Sequence, residues 1–277
     1  MVDGVGSRTA MMVAAGRAAH LVVDSGPVIL RDDVAGVLLG DAAEEMVGYH
    51  RVRGDHVVLW GTRALGVTRG RFVEDRIAAA GVEQYVVLGA GLDSFAFRKT
   101  GIRVFEVDRP ETQAWKRSLV SAAGLGVPEG LEFVPVDFEA GGLTEGLRAA
   151  GFDPRRRTLV GWLGVTVYLS RDAIEAVVRE VRRLGAELVM DYMVPPEMRD
   201  EVGRAYGEIA DRAVVESGEP YRTFLTPGEA EDLVRECGFE VRSHVRMEGA
   251  VPAPVWRRDD VLRPFVFSRF LDATALS

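Results

Sequence analysis

From residue 85 to the end of the chain, short apolar runs alternate with segments whose apolar residues recur at helical spacing. Runs of this kind, rich in β-branched and aromatic residues, are typical of buried strands. They predict strands at residues 85–88, 102–107, 132–136, 158–163, 186–191 and 239–247, and a seventh within 264–271. Because strands that alternate with crossover helices build a parallel sheet, we expect an α/β fold with a mostly parallel, seven-stranded sheet.

Two of the intervening helices have clear boundaries. In residues 171–184 the apolar positions fall on one helical face, Ser170 is a suitable N-cap, and Gly185 stops the helix. Thr226 and Glu229 form a capping box at the start of a second helix. Both helices are therefore predicted to pack an apolar face onto the sheet.

The chain before residue 85 has a different pattern, with helical spacing at 9–23, 41–47 and 68–80 and no strand between them. This pattern predicts a single domain in which residues 1–80 form a helical cap and residues 81–194 and 221–277 form the core. The polar, helical stretch 195–220 is predicted to be an inserted lid over a site at the carboxyl edge of the sheet. The alternative for 195–220 is a solvated surface excursion.

Composition and charge restrict the class of partner. Lys and Arg total 34 and Asp and Glu total 42, which gives 34 − 42 = −8. Without a block of basic residues, a nucleic-acid or anionic-membrane partner has no electrostatic support, so we expect a small-molecule partner. The single cysteine, Cys237, has no internal disulfide partner, and the sequence carries neither a signal-peptide pattern nor a run of apolar residues that could span a membrane. A cytoplasmic protein is expected.

A glycine turn follows the first predicted strand. Gly89 and Gly91 lack Cβ atoms, so the backbone there can approach a ligand closely. The next strand ends at Asp108, about twenty residues later, where a carboxylate can accept both hydroxyls of a bound ribose. This spacing indicates a nucleoside-containing cofactor.

Two cofactor classes share this arrangement. A dinucleotide turn requires a third glycine and a helix N-terminus directed at pyrophosphate, but Ser94 occupies that position. S-adenosylmethionine instead requires an open turn, an acid for the ribose, a polar group for the adenine and a cation for its carboxylate. Asp137, after the third strand, is the candidate for the adenine, and its alternative role is to start a turn. The pattern favours S-adenosylmethionine over NAD, although an NAD-dependent oxidoreductase and a non-catalytic cofactor-binding protein remain alternatives.

The motifs around these residues resemble those of the leucine carboxyl methyltransferase family across nearly the whole chain. The resemblance is carried by the segments 68–72, 87–98, 105–110, 134–137 and 168–169. The segments 7–10, 17–20 and 218–222 further resemble the bacterial branch of the family, whose members methylate small molecules such as polyketide acids. The resemblance implies a Rossmann-like class I methyltransferase fold and an O-methyltransferase of secondary metabolism that acts on a small molecule.

The resemblance also implies a set of cofactor contacts. Arg69 would hold the cofactor carboxylate, Asp108 the ribose and Asp137 the adenine. The residues that border the cofactor would be Gly89, Ala90, Gly91 and Phe138. One position departs from the family pattern, because Leu163 stands where the family often has a glutamate near the amino end of the cofactor.

Methyl transfer from a sulfonium is an in-line displacement, so it requires alignment of the acceptor and exclusion of water. No residue pattern has the spacing of metal ligands, and no metal is expected. A carboxylate acceptor is already anionic, whereas a phenol or alcohol would need a base, for which His20, His50 and Tyr192 are candidates. Arg222 is predicted to enter the site from the lid and bind the oxygens of an acid acceptor, or alternatively to tie the lid to nearby acidic residues.

Overall fold

The computed structural model describes residues 7–99 and 101–276. Residues 1–6 of the predicted cap and Ser277 of the predicted core lie outside these ranges. The strands in the described part are β1 (Gln84–Leu88), β2 (Arg103–Asp108), β3 (Leu131–Pro135), β4 (Thr158–Trp162), β5 (Glu187–Met193), β6 (Phe239–Arg246) and β7 (Ser268–Ala275). Each predicted strand is found, with β7 extending beyond the predicted range.

The strands form one sheet in the order β3-β2-β1-β4-β5-β7-β6. Strands β1 to β5 pair in parallel, and β7 is antiparallel to both of its neighbours, β5 and β6. The predicted mostly parallel α/β fold is therefore confirmed. The strand order reverses direction between β1 and β4, and in open α/β sheets ligands bind at such a switch point.

Helices pack on both faces of the sheet, and four α-helices within residues 7–83 precede the first strand. In the described part they are α1 (Arg8–Val23), α2 (Ala35–Leu38), α3 (Ala43–Arg53), α4 (Val57–Ala80), α5 (Phe95–Arg98), α6 (Pro110–Ala122), α7 (Leu143–Ala149), α8 (Arg171–Arg183), α9 (Glu201–Glu216), α10 (Pro227–Glu236) and α11 (Met247–Ala250). None of them is both long and apolar enough to span a membrane.

The predicted ends of two helices are confirmed in detail. The hydroxyl of Ser170 accepts a hydrogen bond from the backbone N–H of Ala173 at the start of α8. Thr226 and Glu229 form the reciprocal capping box of α10. These bonds satisfy backbone donors that the first helical turn leaves unpaired.

Helix α4 begins earlier than predicted. The sequence predicts a start near Thr68, but the helix runs from Val57. Residues 60–68 are all buried, so this part of the helix has no polar face and gives no amphipathic pattern. Helix α3 is likewise longer than the predicted 41–47.

Successive residues of the strands pack alternately into two hydrophobic cores, one on each face of the sheet. Val86 and Leu88 of β1 pack in the layer that contains α8 and α10. Tyr85 and Val87 pack in the opposite layer, which contains α4 and α9. This period-two alternation is that of a sheet buried on both faces. The division of the domain into cap, core and lid stays a prediction.

Candidate active site

A cavity of about 550 Å³ lies at the carboxyl ends of β1, β2, β3 and β4. Its walls come from the turn after β1, the strand ends, helices α1 and α4, and the segment 218–222. Pockets of this volume hold ligands of the size of drugs and nucleosides. The cavity lies at the switch point of the sheet, where the fold places ligand sites.

The turn after β1 has a conformation that requires glycine. Gly89 has φ of 68° and Gly91 has φ of 46°, both in the left-handed region. A Cβ on Gly89 would lie 2.3 Å from a methyl carbon of Val165. The backbone N–H groups of Gly89 and Ala90 both donate to the carbonyl of Val107, at 2.8 and 3.1 Å. The turn is thereby attached to β2.

Asp108 ends β2 and lines the cavity beside this turn. Its Oδ2 accepts from the N–H of Gly91 at 2.7 Å, and its Oδ1 accepts from the N–H of Arg109 at 2.8 Å. Burial raises the pKa of Asp108, while these two N–H donors oppose the rise. Each carboxylate oxygen has a further lone pair, so Asp108 can accept ribose hydroxyls while it holds the turn.

The segment after β3 forms the next wall. Asp137 is exposed at the cavity, and its Oδ1 accepts from the N–H of Glu139 at 3.0 Å. Phe138 is buried, with its ring edge-on to Trp162 at a centroid distance of 6.2 Å. This segment presents a carboxylate and an apolar ring, which are suitable partners for a purine.

Arg69 enters the cavity from α4 and is held by Asp191 of β5. Nε of Arg69 donates to Oδ2 of Asp191 at 2.8 Å, and Nη2 lies 2.7 Å from the same oxygen. Asp191 raises the pKa of Arg69 against the effect of burial. Oδ1 of Asp191 accepts from the N–H of Gly164, next to Leu163 in the cavity wall. The guanidinium is thus a fixed cation in the wall.

Three tyrosines line the part of the cavity near Arg69: Tyr168, Tyr206 and Tyr221. The rings of Tyr168 and Tyr221 are 5.4 Å apart, and the hydroxyls of Tyr206 and Thr62 are 3.2 Å apart. Burial raises the pKa of all three, that of Tyr168 to about 12. The phenols are therefore neutral near pH 7 and can donate hydrogen bonds.

The segment 218–222 is tied to two other walls of the cavity. Nη1 of Arg222 donates to Oε1 of Glu139 at 2.7 Å. Oε2 of Glu219 accepts from the hydroxyls of Ser7 and Thr9, at 3.2 and 2.8 Å. The segment therefore bridges from the loop after β3 to the start of α1.

The structure places the other two predicted catalytic residues away from the cavity. His20 is buried, with Nδ1 3.0 Å from Asp24 and Nε2 accepting from the N–H of Ile29. Tyr192 packs in the layer of α8 and α10, and its hydroxyl is 2.6 Å from Nε2 of His244. Among the described residues, no histidine lines the cavity. His20 and Tyr192 therefore lie outside the lining of the cavity that the other predicted site residues share.

The remaining predicted residues are brought together at the cavity: Arg69, Gly89, Ala90, Gly91, Asp108, Asp137, Phe138 and Arg222. Their individual roles stay predictions. The sequence did not single out Asp191, Tyr206 or Glu219 as site residues. Tyr206 and Glu219 both lie in the segment 195–220 that was predicted to be a polar lid, and the available signal there was an aromatic residue among charged ones. The described residues contain no group of three or more metal-binding side chains.

Comparison with known proteins gives a family match. The model of the leucine carboxyl methyltransferase family matches residues 10–182. A putative S-adenosyl-L-methionine-dependent methyltransferase of Saccharopolyspora erythraea is 30% identical over 257 residues, which cover 90% of this chain and 79% of that protein. One of Bacillus subtilis is 30% identical over 200 residues, covering 70% of this chain and 66% of its own. One of Parafrankia is 37% identical over 171 residues, covering 59% and 48%. The match thus spans just under two thirds of the length of the Bacillus subtilis protein and about half of the length of the Parafrankia protein.

Two solved structures share the fold. A DUF574 family protein of Streptomyces avermitilis aligns with a TM-score of 0.57 and 18% identity, over 94% of this chain and 97% of that one. A putative methyltransferase of Thermobifida fusca aligns with a TM-score of 0.58 and 17% identity, over 99% and 97%. At these identities the likeness concerns the fold alone.

Proposed function

Because the chain belongs to the leucine carboxyl methyltransferase family, a family of S-adenosylmethionine-dependent enzymes, we propose that it methylates an oxygen atom of a small-molecule metabolite. A carboxylate is the favoured acceptor. The observation that carries this proposal is the pairing, within one cavity, of a nucleoside-type site with a cluster of neutral hydroxyl donors around Arg69.

The cofactor end of the cavity suits S-adenosylmethionine by its donors and acceptors. Asp108 supplies acceptors for the ribose, Asp137 an acceptor for the adenine amino group, and Arg69 a cation for the amino-acid carboxylate. Gly89 lines the cavity and has no side chain of its own, so its backbone can approach the cofactor closely. The cofactor supplies a methyl group on a positively charged sulfur.

The acceptor end has the properties of an anion site. The hydroxyls of Tyr168, Tyr206 and Tyr221 are protonated near neutrality, so they are donors and not bases. These hydroxyls can donate hydrogen bonds to the oxygens of an acid acceptor, while Arg69 holds the carboxylate of the cofactor. Since a carboxylate is already nucleophilic, this arrangement requires no general base.

The protein's contribution to rate is then positional. The tyrosine rings and the apolar wall exclude water, and the hydroxyls fix the acceptor so that one oxygen lies in line with the methyl–sulfur bond. The fixed Arg69–Asp191 pair keeps the charge distribution of the site constant during the displacement.

The test is transfer of labelled methyl groups to matched acceptors that differ only in the acceptor group: a set of carboxylic acids and the corresponding phenols. We expect methyl esters as products, with a rate that is flat above about pH 6, since ordinary carboxyl groups ionise near pH 4. Methylation on nitrogen or carbon, or a rate that rises steeply between about pH 6 and 9, would contradict the carboxylate proposal. Absence of S-adenosylmethionine binding would contradict the proposed activity as a whole.

A further inference from the structure

A buried ion pair lies directly behind the glycine turn. Glu106 of β2 and Lys116 of α6 have exposed fractions of 0% and 1%. Nζ of Lys116 is 2.5 Å from Oε2 of Glu106 and also donates to the backbone carbonyl of Asp93 at 2.6 Å. Asp93 lines the cavity, whereas the two charged side chains lie behind its wall. The pair therefore contacts the turn from outside the cavity lining.

The Gly89–Asp93 turn is hydrogen-bonded at two points, by Asp108 of β2 at Gly91 and by Lys116 of α6 at Asp93. Asp108 accepts from the N–H of Gly91, and Lys116, paired with Glu106, donates to the carbonyl of Asp93. Glu106 and Asp108 are two residues apart on one strand, so their side chains point to the same face of the sheet. Strand β2 thus positions both Asp108, the proposed ribose acceptor, and Glu106, the partner of Lys116.

Helix α6 holds Lys116 in place. Nε2 of Gln113, one helical turn earlier, donates to the backbone carbonyls of Glu106 and Val134, at 2.7 and 2.9 Å. Nζ of Lys116 also lies 5.8 Å from the centroid of the Phe97 ring. The ammonium group therefore has a defined position against the turn.

Stability alone gives little reason for this pair. Desolvation of two buried charges offsets most of their attraction, and an apolar pair of similar volume is often as stable. In the described part of the chain, Oε1 of Glu106 is buried without a hydrogen-bond partner, which adds a further cost. What distinguishes this pair is the hydrogen bond from Lys116 to the backbone carbonyl of Asp93 in the turn, which points to a positional role.

We propose that Lys116, oriented by Glu106, is a positioning residue that fixes the Gly89–Asp93 turn for the cofactor, and that the charge state of the pair controls cofactor affinity. This inference rests on the proposed function in one respect, because it takes the turn as the site of the adenosine moiety.

Burial raises the pKa of Glu106 to about 7, with the charge of Lys116 opposing the rise and the charges of Asp93 and Asp108 adding to it. Lys116 faces Glu106 from α6, Asp93 from the turn and Asp108 from β2, and the phenol of Tyr85, whose pKa burial raises further, faces it from β1. Above this pKa the ionised Glu106 holds Lys116 against the turn. Below it the carboxyl group is neutral and the support weakens, so affinity for adenosine should fall on acidification.

The experiment measures binding of methylthioadenosine by calorimetry at several pH values from about 6 to 8. This probe contains the adenine and ribose but no amino-acid groups, and it does not titrate near neutrality. We expect the wild-type protein to bind it about three- to tenfold more weakly at pH 6 than at pH 8, and Glu106→Gln to lose most of this dependence. Dependence that remains in Glu106→Gln would come from other groups, and Asp108→Asn tests the contribution of Asp108, whose pKa burial also raises.

Two lysine variants test the positional step. Lys116→Met should weaken binding about tenfold at pH 8, and Lys116→Arg should restore part of the loss. Asp272→Asn is the control, because Asp272 is a buried acid paired with Arg76 and Arg242 away from the cavity. It should lower the melting temperature without changing affinity.

The outcomes separate the two proposals. If the wild-type protein binds neither methylthioadenosine nor S-adenosylhomocysteine, the proposed function fails and this inference fails with it. If the wild-type protein binds but its affinity is independent of pH, or if folded Glu106→Gln and Lys116→Arg match it at every pH, only the positioning inference is overturned. The wild-type pH profile decides the matter even if Lys116→Met does not fold.

Discussion

Asp191 of β5 binds Arg69 of α4 through one carboxylate oxygen and the backbone N–H of Gly164 through the other. The carboxylate therefore connects the cationic wall of the cavity to the turn after β4. A Cβ at Gly164 would lie 3.1 Å from Nη1 of Arg69, and Gly164 has φ of 75°, so both the space and the backbone there require glycine.

The first prediction concerns Arg69. Arg69→Ala should weaken S-adenosylhomocysteine by about 10- to 150-fold, because a charge-assisted hydrogen bond contributes about 1.5–3 kcal/mol. The affinity for methylthioadenosine, which lacks the carboxylate, should fall by less than about threefold. Calorimetry measures both. Arg71→Ala is the matched control, since Arg71 lies on the same helix but pairs with Asp75. Equal losses for the two ligands would contradict a carboxylate contact.

The second prediction concerns Asp108. Asp108→Asn keeps the shape of the side chain but removes its charge, and it should weaken both ligands by about 10- to 150-fold. The loss is common to both because they share the ribose. The affinity of Asp108→Ala for both ligands should fall further, since this variant also leaves the N–H of Gly91 without its acceptor. Binding of Asp108→Asn at wild-type affinity would exclude Asp108 as the ribose acceptor.

The third prediction separates two roles of Arg222. If Arg222 positions the acceptor, Arg222→Ala should lower kcat while cofactor affinity stays within about threefold. Glu139→Gln removes the partner of Arg222 but leaves the guanidinium, so it should lower kcat less. If Arg222 only ties the segment 218–222 to Glu139, the two variants should have equal effects. The ion pair is largely exposed, so Arg222→Ala should change the melting temperature little. A fall seen only in Glu139→Gln would come from the hydrogen bonds that Glu139 accepts from Ser170.

The fourth prediction concerns pH and stability. Burial, with the nearby Arg63 guanidinium, lowers the pKa of His50 from 6.5 to about 4. A lowered folded-state pKa contributes stability above pH 6.5 that is lost as the pH falls through 4. Its full size is on the order of 3 kcal/mol. His50→Gln should therefore show a smaller fall in the free energy of unfolding between pH 6.5 and 4, measured in urea.

The matched control for this measurement is His56→Gln, because His56 is exposed at the start of α4. It should reproduce the wild-type slope. A wild-type slope in His50→Gln would mean that other groups account for acid unfolding.

The local features of the fold were predictable because their signals are local. A buried strand such as 85–88 is a continuous apolar run, and Gly89 and Asp108 are separated by a spacing that a sequence displays directly. The first half of α4 was not predictable in this way. Residues 60–68 are buried on all sides, so the polar residues among them form no solvent-facing stripe that would mark a helical period.

The parts of the site that depend on contacts between residues far apart in the chain could not be predicted from the sequence. Arg69 and Asp191 are 122 residues apart and meet only because β5 lies beside β4 in the sheet. Residue type also misled for His20 and Tyr192. Both side chains are able to act as bases, but their hydrogen-bonding groups are engaged inside the protein, away from the cavity. Only the packing of the chain determines which polar groups are left for a ligand.

The hydrogen bonds from Ser7 and Thr9 to Glu219 would slow a ligand that enters or leaves the cavity between α1 and the segment 218–222. A molecule that passes between α1 and the segment 218–222 has to break these bonds, so its residence time includes the time that this gap takes to open. Product departure, and not the displacement at carbon, can then set the rate of turnover. A chain with Glu219→Gln would hold the gap less firmly, release S-adenosylhomocysteine faster in stopped-flow displacement, and respond less to ionic strength.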